Sequence, residues 1–594
     1  FYYILDCCIF YYYIKRFTMQ INRIEPSYWF NNLNENNLQL LIYGYDLNCA
    51  NVQTTIPHNS LSMIEGLKGK YLFLDLSLKN NINAGLYDIT IISKNEKISI
   101  PYEIKNKRSW NKQCKATISN EDVVYLLMPD RFAKEEPSEQ NLQNGNAPSK
   151  RHGGSIRGII SNLSYLYDLG VTALWLTPVF KNSEYHGYSI TDFYEIEPCL
   201  GFLEDYQNLV KQAHEHGIKI IMDVIFNHCS IKHPWLKNPP LDNCFNGQEG
   251  QVIKKTNYKV TTIFDPYASQ SDRDYTVKGW FTEEMPDLNI ENDFVFKYLT
   301  QMTIWWIETT GIDAIRMDTY LYSDFEKMIE WQNIITKEYP GFSVIAETWV
   351  PEAAYTAKIQ NEAYKRLNSN TSLIVMDFAF QKRIESCFDR VKCYDKEGQI
   401  YNHFVYDYLY NCPKETLAFL DNHDLPRWYS QIKNKAKLKQ ALAILLTVPR
   451  IPQIYYGTEF LFSSDGNGYG DGNYRIDAFE ALLPPEKFVR YEIARYLKII
   501  LNWRKKSKAI SIGTMKHFIP QDGVYVYFRS YKDEKVMILA NCTSKTSAID
   551  LSLYKEGIKD YNYGTDVISN KQIYLTNSTL TMKKNAIFIL ELQK

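Results

Sequence analysis

The sequence predicts an α/β protein: a (β/α)8 barrel with an excursion domain after strand three, flanked by N-terminal and C-terminal β-sandwich domains. Three observations predict it. From Asp122 onward, short apolar runs alternate with helical stripes, which argues for a parallel sheet; eight such strands argue for closure. Before about Lys107 and after about Lys508, strand-like runs follow one another with no helix between them. Charged residues fall at the C-terminal ends of strands three, four, five and seven, the ends that share one mouth in a barrel. The rival is an open, doubly wound sheet. It would carry a Gly-rich phosphate loop after its first strand, and none follows here.

The elements run in order. Residues 1–14 are apolar and aromatic but contain Asp6, and the stretch is shorter than the roughly 20 residues that span a bilayer. Met19 reads as the start, with 1–18 an unassigned extension; the protein is then cytoplasmic, or periplasmic if 1–18 is a signal remnant. Runs at 38–43, 71–78, 85–92 and 97–104 make the first sandwich. Strand 123–128 opens the barrel. Residues 155–169 carry Ile156, Ile159, Ile160, Leu163 and Leu166, a single helical stripe stopped by Gly170. Strand 173–177, a helix at 204–216 and strand 218–225 follow. Residues 229–290, rich in Asn, Pro, Gly and Tyr, break the rhythm as an excursion. A helix at 292–309 resumes it, and strands recur at 312–318, 343–347, 372–377, 416–421 and 451–456. Runs at 524–528, 536–540, 548–551 and 586–592 make the last sandwich. The domains are therefore 19–110, 111–505 with the excursion at 229–290, and 506–594.

Composition excludes some functions. The 67 basic and 68 acidic residues leave a net charge of -1 with no Lys/Arg block, so there is no nucleic-acid footprint. The 11 cysteines are scattered and odd in number, without metal-ligand spacing, which is not a disulfide framework. Aromatics reach 14%, which suits a core and also suits stacking on sugar faces; composition does not separate the two.

The chemistry centres on the run from Gly311 to Asp318. Arg316 and Asp318 are two apart, so on a strand they share a face. A guanidinium beside a carboxylate favours its ionised form, and an ionised carboxylate in a cleft is a nucleophile. Strand three ends in Asp223, Asn227 and His228; strand five in Glu347; strand seven in Asp421, Asn422, His423 and Asp424. Converging carboxylates with no metal cage suit glycoside cleavage, where one attacks the anomeric carbon and another protonates the leaving oxygen. There is no Gly-x-Ser-x-Gly elbow and no His-Glu-x-x-His.

The segments 223–228 (DVIFNH), 311–318 (GIDAIRMD), 346–349 (AETW) and 419–424 (FLDNHD), in this order, resemble the α-amylase family of glycoside hydrolases. Segments 170–178 and 451–459 match as well. The resemblance covers roughly 120–505. It implies Asp318 as nucleophile, Glu347 as acid/base and Asp424 as the third acid, gripping ring hydroxyls. It implies substrate contacts at His228, Arg316, His423, Asp223, Trp349 and Arg475, with Tyr188 stacked under the sugar beside the cleaved bond. Met285-Pro-Asp-Leu-Asn289 and the N-terminal β-domain resemble the neopullulanase and cyclomaltodextrinase group. The alternative for that pentapeptide is an ordinary Pro-containing turn. Thr319-Tyr320 follow the nucleophile where many endo-acting members carry Lys-His, which implies an altered grip on the leaving side.

The implied substrate is an α-glucan oligosaccharide, with no nucleic acid and no membrane span. In the resembled group the N-terminal domain often covers a partner's active site, which implies a homodimer. No cofactor is required. Calcium is the open question: the loop after Pro129-Asp-Arg-Phe132 offers Glu135, Glu136, Glu139, Asn141 and Asn144 but also Lys134, a degraded site, and Asn227 is a candidate ligand elsewhere. The resemblance implies retaining hydrolysis of α-1,4 bonds in cyclodextrins, pullulan or malto-oligosaccharides; the alternatives are transfer to a sugar acceptor, general α-amylase action on starch, or a catalytically silent sugar-binding barrel. Silent relatives lose carboxylates, and this chain keeps all three.

Overall fold

The computed structural model describes all residues except 1–18, 49, 94–95, 111–115, 136–146, 248–254, 369–370, 390–398, 465–470 and 483–490. The N-terminal extension therefore lies outside the described residues, as do Glu136, Glu139, Asn141 and Asn144 of the loop considered for calcium.

Eight parallel strands close into a barrel. They are β1 (Val124–Leu127), β2 (Ala173–Leu176), β3 (Lys219–Ile225), β4 (Ala314–Asp318), β5 (Ser343–Ala346), β6 (Ser372–Met376), β7 (Thr416–Phe419) and β8 (Ile451–Tyr455). Hydrogen bonding runs from each strand to the next, and β8 returns to β1. Almost every strand residue is buried, because helices cover the outside and side chains fill the inside. That double burial is why the strands read as continuous apolar runs.

The helix Asp293–Thr310 shows how the flanking domain fits. Asn292 caps it, accepting from the N–H groups of Phe294 and Val295, and Gly311 ends it at φ 79°. Nearly every residue from Val295 onward is buried, Trp305 and Trp306 included. A helix apolar all round needs cover on both sides. The barrel supplies one cover and the N-terminal sandwich the other: Gln39 and Gln301 exchange side-chain and backbone hydrogen bonds, both at 2.7 Å.

That sandwich packs Gln20–Glu25, Asn37–Tyr45, Tyr71–Leu78 and His58–Glu65 as one sheet. Tyr28–Phe30, Glu96–Lys105, Gly85–Ser93 and Asn51–Thr54 form the second. The C-terminal domain is less even: a six-stranded antiparallel sheet faces a two-stranded ribbon of Ser547–Asp550 and Thr579–Met582. Among its described cysteines the chain has free thiols at Cys199, Cys229, Cys244 and Cys412, while Cys542 is disulfide-bonded.

Two local features differ from the sequence reading. The stripe at 155–169 is two helices, Ile156–Ser161 and Leu163–Leu169. The Asn162 side chain donates to the Gly158 carbonyl at 2.9 Å, a local bond that competes with helix continuation. After β2 the chain also makes an antiparallel hairpin, Phe180–Asn182 with Ile190–Ile196. Arg23 of the N-terminal sandwich clamps it through a two-pronged ion pair to Asp192. Among its described residues the excursion after β3 holds two short α-helices, Pro234–Lys237 and Gln270–Lys278, and a 3-10 helix, Val260–Ile263.

Candidate active site

The C-terminal ends of β3, β4 and β5 set the central geometry. Asp223 stands beside Arg316 in register across β3 and β4. Arg316 is fully buried. Its Nη1 donates to Asp223 Oδ1 at 2.9 Å and to Asp318 Oδ1 at 2.5 Å. Its Nη2 lies 2.9 Å from Glu347 Oε1, an ion contact without hydrogen-bond alignment. One guanidinium therefore touches three carboxyl groups. Beneath it lies the Trp175 ring, 5.0 Å from the guanidinium carbon.

Burial decides the protonation of this cluster. Glu347 is pushed up to about 8 by burial, opposed by Arg316 and reinforced by Asp318 and Asp424. Its Oε2 accepts the Thr319 N–H at 2.8 Å. Asp223 is pushed up to about 7 by burial, against the pull of Arg316. A carboxyl that keeps its proton near neutrality is equipped as a general acid.

The end of β7 supplies the opposite wall. Asp424 is held by Arg475 Nη2 at 3.0 Å and lies 3.1 Å from His423 Nε2. Burial keeps His423 neutral, helped by the nearby Arg475 and Arg316. Tyr188 lies flat on His423, 5.3 Å between centroids and 7° between planes. Its hydroxyl donates to Asp223 Oδ2 at 2.9 Å. His423 Nε2 thus faces two oxygens, Tyr188 Oη at 2.6 Å and Asp424 Oδ2, and must carry the ring proton.

These groups surround a cavity of about 270 Å³. Asp318, Glu347, Asp424, Tyr188, His228, Trp349 and Arg475 line it, seven of the residues expected from sequence. Arg316, His423 and Asp223 do not line it. They are buried and sit one layer beneath it. Asp223 shows why: Trp175 Nε1, Tyr188 Oη and Arg316 Nη1 already occupy its oxygens. Arg475 reaches the cavity but spends its nitrogens on Asp424, the His423 carbonyl and Tyr185 Oη. Asp421 is buried and caps Trp428 by accepting its N–H at 2.8 Å.

Tyr320 is fully buried against Phe325 and does not line the cavity; Thr319, Leu321 and Tyr322 do. Thr319 has a left-handed backbone, φ 47°, which redirects the chain just after Asp318. Residues 285–289 are more than a turn. Asp287 bridges His228, Leu288 N–H donates to the Asn227 carbonyl at 2.8 Å, and Met285 lines the cavity.

Sequence reasoning missed His186, Phe281 and Tyr322. His186 accepts the Tyr188 N–H at 3.0 Å, and burial lowers it to about 3. Its signal was present in His186-Gly-Tyr188. Phe281 stacks on His228, 5.1 Å between centroids at 10°. It comes from the irregular excursion, where no periodicity marks it.

Calcium takes six to eight oxygens. The Asn227 carboxamide oxygen is buried and has no hydrogen-bond partner, so one donor is free. Among the described residues no group of three or more His, Cys, Asp or Glu is placed to hold a metal, and Glu135 faces Arg157 at 3.6 Å.

Comparison with known proteins gives three family matches along the chain. The alpha-amylase catalytic domain matches residues 126–468, the cyclomaltodextrinase N-terminal domain 23–108, and the cyclo-malto-dextrinase C-terminal domain 515–591. Alpha-amylase 2 of Dictyoglomus thermophilum is 29% identical over 80% of this chain and 77% of its own. Neopullulanase 2 of Thermoactinomyces vulgaris is 25% identical over 83% of this chain and 78% of its own. Among solved structures, an Anoxybacillus alpha-amylase superposes with a TM-score of 0.68 at 27% identity, over 80% of this chain and 98% of that one. A cyclomaltodextrinase structure covers 94% of this chain and 96% of its own with a TM-score of 0.65; at 18% identity it speaks for the fold alone. The chain belongs to the alpha-amylase family of glycoside hydrolases and carries the flanking domains of its cyclomaltodextrinase and neopullulanase branch.

Proposed function

We propose that the protein is a retaining glycosidase that hydrolyses α-1,4-glucosidic bonds in cyclodextrins, pullulan and short malto-oligosaccharides. The observation that carries this reading is the single guanidinium of Arg316 touching both Asp318 and Glu347. One guanidinium reaches two carboxyl groups only if they are neighbours. A retaining pair, about 5–5.5 Å apart, needs such neighbours.

In this mechanism an Asp318 oxygen attacks the anomeric carbon as the glycosidic C–O bond breaks. Glu347 gives its proton to the departing oxygen. The glycosyl–Asp318 ester is then attacked by water, whose proton returns to Glu347. Asp424, fixed by Arg475 and His423, accepts from the ring hydroxyls of the distorted sugar. Tyr188, braced on His423, carries the sugar's flat face.

Preference for compact substrates follows from the walls. The hairpin at 180–196 carries Tyr188's loop, and the excursion contributes Val260, Phe281, Thr282 and Met285 to the same cavity. A walled cavity favours compact ligands over a bulky polymer. The relatives named neopullulanase and cyclomaltodextrinase support the same direction. The test is kcat/KM on β-cyclodextrin, pullulan, maltohexaose and soluble starch side by side, with product analysis. Starch equal to or above the others refutes the preference. Longer products than substrates assign the chemistry to transfer.

A further inference from the structure

Tyr258 lies in the excursion just outside the cavity, and three features set it apart. Its backbone is left-handed at φ 55°, a conformation rare for a bulky residue. The residue is 48% exposed, so core packing does not account for that conformation. Its hydroxyl donates to the Phe281 carbonyl, which fixes the ring in place.

The neighbouring turn is built to hold it. The Thr256 hydroxyl accepts the Tyr258 N–H at 3.3 Å, and Asn257 Oδ1 accepts the Lys259 N–H at 2.9 Å. Asn257 Nδ2 is tied in turn to the Asp272 carbonyl at 2.8 Å. Local strain of this kind persists where surrounding contacts impose it, and such positions gather at functional sites.

The ring continues a row that starts at the reacting groups. Phe281 stacks on His228 inside the cavity. Tyr258 meets Phe281 edge-on at 5.7 Å and Tyr322 at 6.3 Å. Both Phe281 and Tyr322 line the cavity with Glu347, and after burial it is the nearby Glu347 charge that most raises the Tyr322 phenol. Glu347, as proton donor, faces the departing oxygen, so the row on its side runs along the departing portion of the chain.

We propose that Tyr258 is an outer stacking platform for a leaving-side glucose unit of an α-glucan chain, beyond the units held at the cleaved bond. This rests on the glycosidase reading above. A fixed, half-exposed aromatic ring offers its face to the apolar face of a sugar at little entropic cost, as rigid aromatics do at other binding surfaces.

The test compares two substrates and two variants. Maltohexaose reaches the leaving side, whereas α-maltosyl fluoride leaves only fluoride there. Tyr258→Gly removes the ring and suits the left-handed backbone, so folding is preserved. Its kcat/KM on maltohexaose falls about tenfold, as for loss of an aromatic anchor, while that on α-maltosyl fluoride stays within twofold. Tyr258→Phe keeps the ring and stays near wild type on both. Isothermal titration of maltohexaose into Glu347→Gln protein, with and without Tyr258→Gly, reads the same tenfold weakening without turnover. Equal losses on both substrates, or unchanged maltohexaose kinetics and affinity, overturn the platform. A wild-type protein inactive on both substrates refutes the glycosidase reading instead, and the titration still decides Tyr258.

Discussion

Replacing Arg316 with methionine is the most informative single perturbation. The side chain is fully buried, and methionine fills most of its space without charge. The change leaves Asp223, Asp318 and Glu347 together with no cation among them. Breaking a buried ion pair by removing one partner costs about 3–5 kcal/mol. That loss has a pH signature. Stranded carboxyl groups take up protons, so the destabilisation is largest at high pH and shrinks as the pH falls. Urea unfolding at pH 6 and pH 9 measures it. Activity changes in the same sense. Arg316 now pulls Glu347 down against burial, to about 8. Without it Glu347 holds its proton more tightly, so the basic limb of kcat/KM against pH moves up. Loss of a preorganised charge also lowers kcat by about 10²–10³-fold. A variant within tenfold of wild type, with an unmoved basic limb and equal destabilisation at both pH values, refutes the reasoning.

Two other predictions follow from burial. In the wild type, kcat/KM falls as pH rises through about 8, where Glu347 loses its proton; Glu347→Gln abolishes that limb along with most turnover, and an intact limb in the variant contradicts the assignment. At the seam between domains, Glu25 accepts from Tyr43 and Tyr298, and burial pushes it up to about 7 despite Arg23. The folded protein then holds a proton that the unfolded chain releases from about pH 4.5 upward. Stability from this group therefore falls as pH rises from 4.5 through 7, by about 3 kcal/mol. The Glu25→Gln variant loses that slope in urea unfolding, and a slope equal to wild type counts against it.

The barrel was legible because its strands are buried on both faces and its helices carry stops such as Gly311. The pair Arg316 and Asp318 was legible because strands repeat every two residues. What escaped was fixed by tertiary geometry. A strand end does not reveal which layer a side chain joins, so Asp223, Arg316 and His423 could not be separated from Asp318 and Glu347. A single left-handed residue, Thr319, turns the chain so that Tyr320 is buried while Tyr322 lines the cavity. The hairpin after β2 has a three-residue first strand, too short to leave a pattern. Phe281 and Tyr258 come from irregular backbone, where only the fold brings them to the mouth.

The central claim is that Asp318 forms a covalent bond to the sugar, and trapping tests it most directly. Protein is incubated with 5-fluoro-α-maltosyl fluoride, a substrate whose ring fluorine slows the second step, then digested and mapped by mass spectrometry. The expected result is one added fluoroglycosyl group, on the peptide containing Asp318. A label on Glu347 or Asp424, or rapid consumption of the fluoride with no labelled protein at any time, contradicts it.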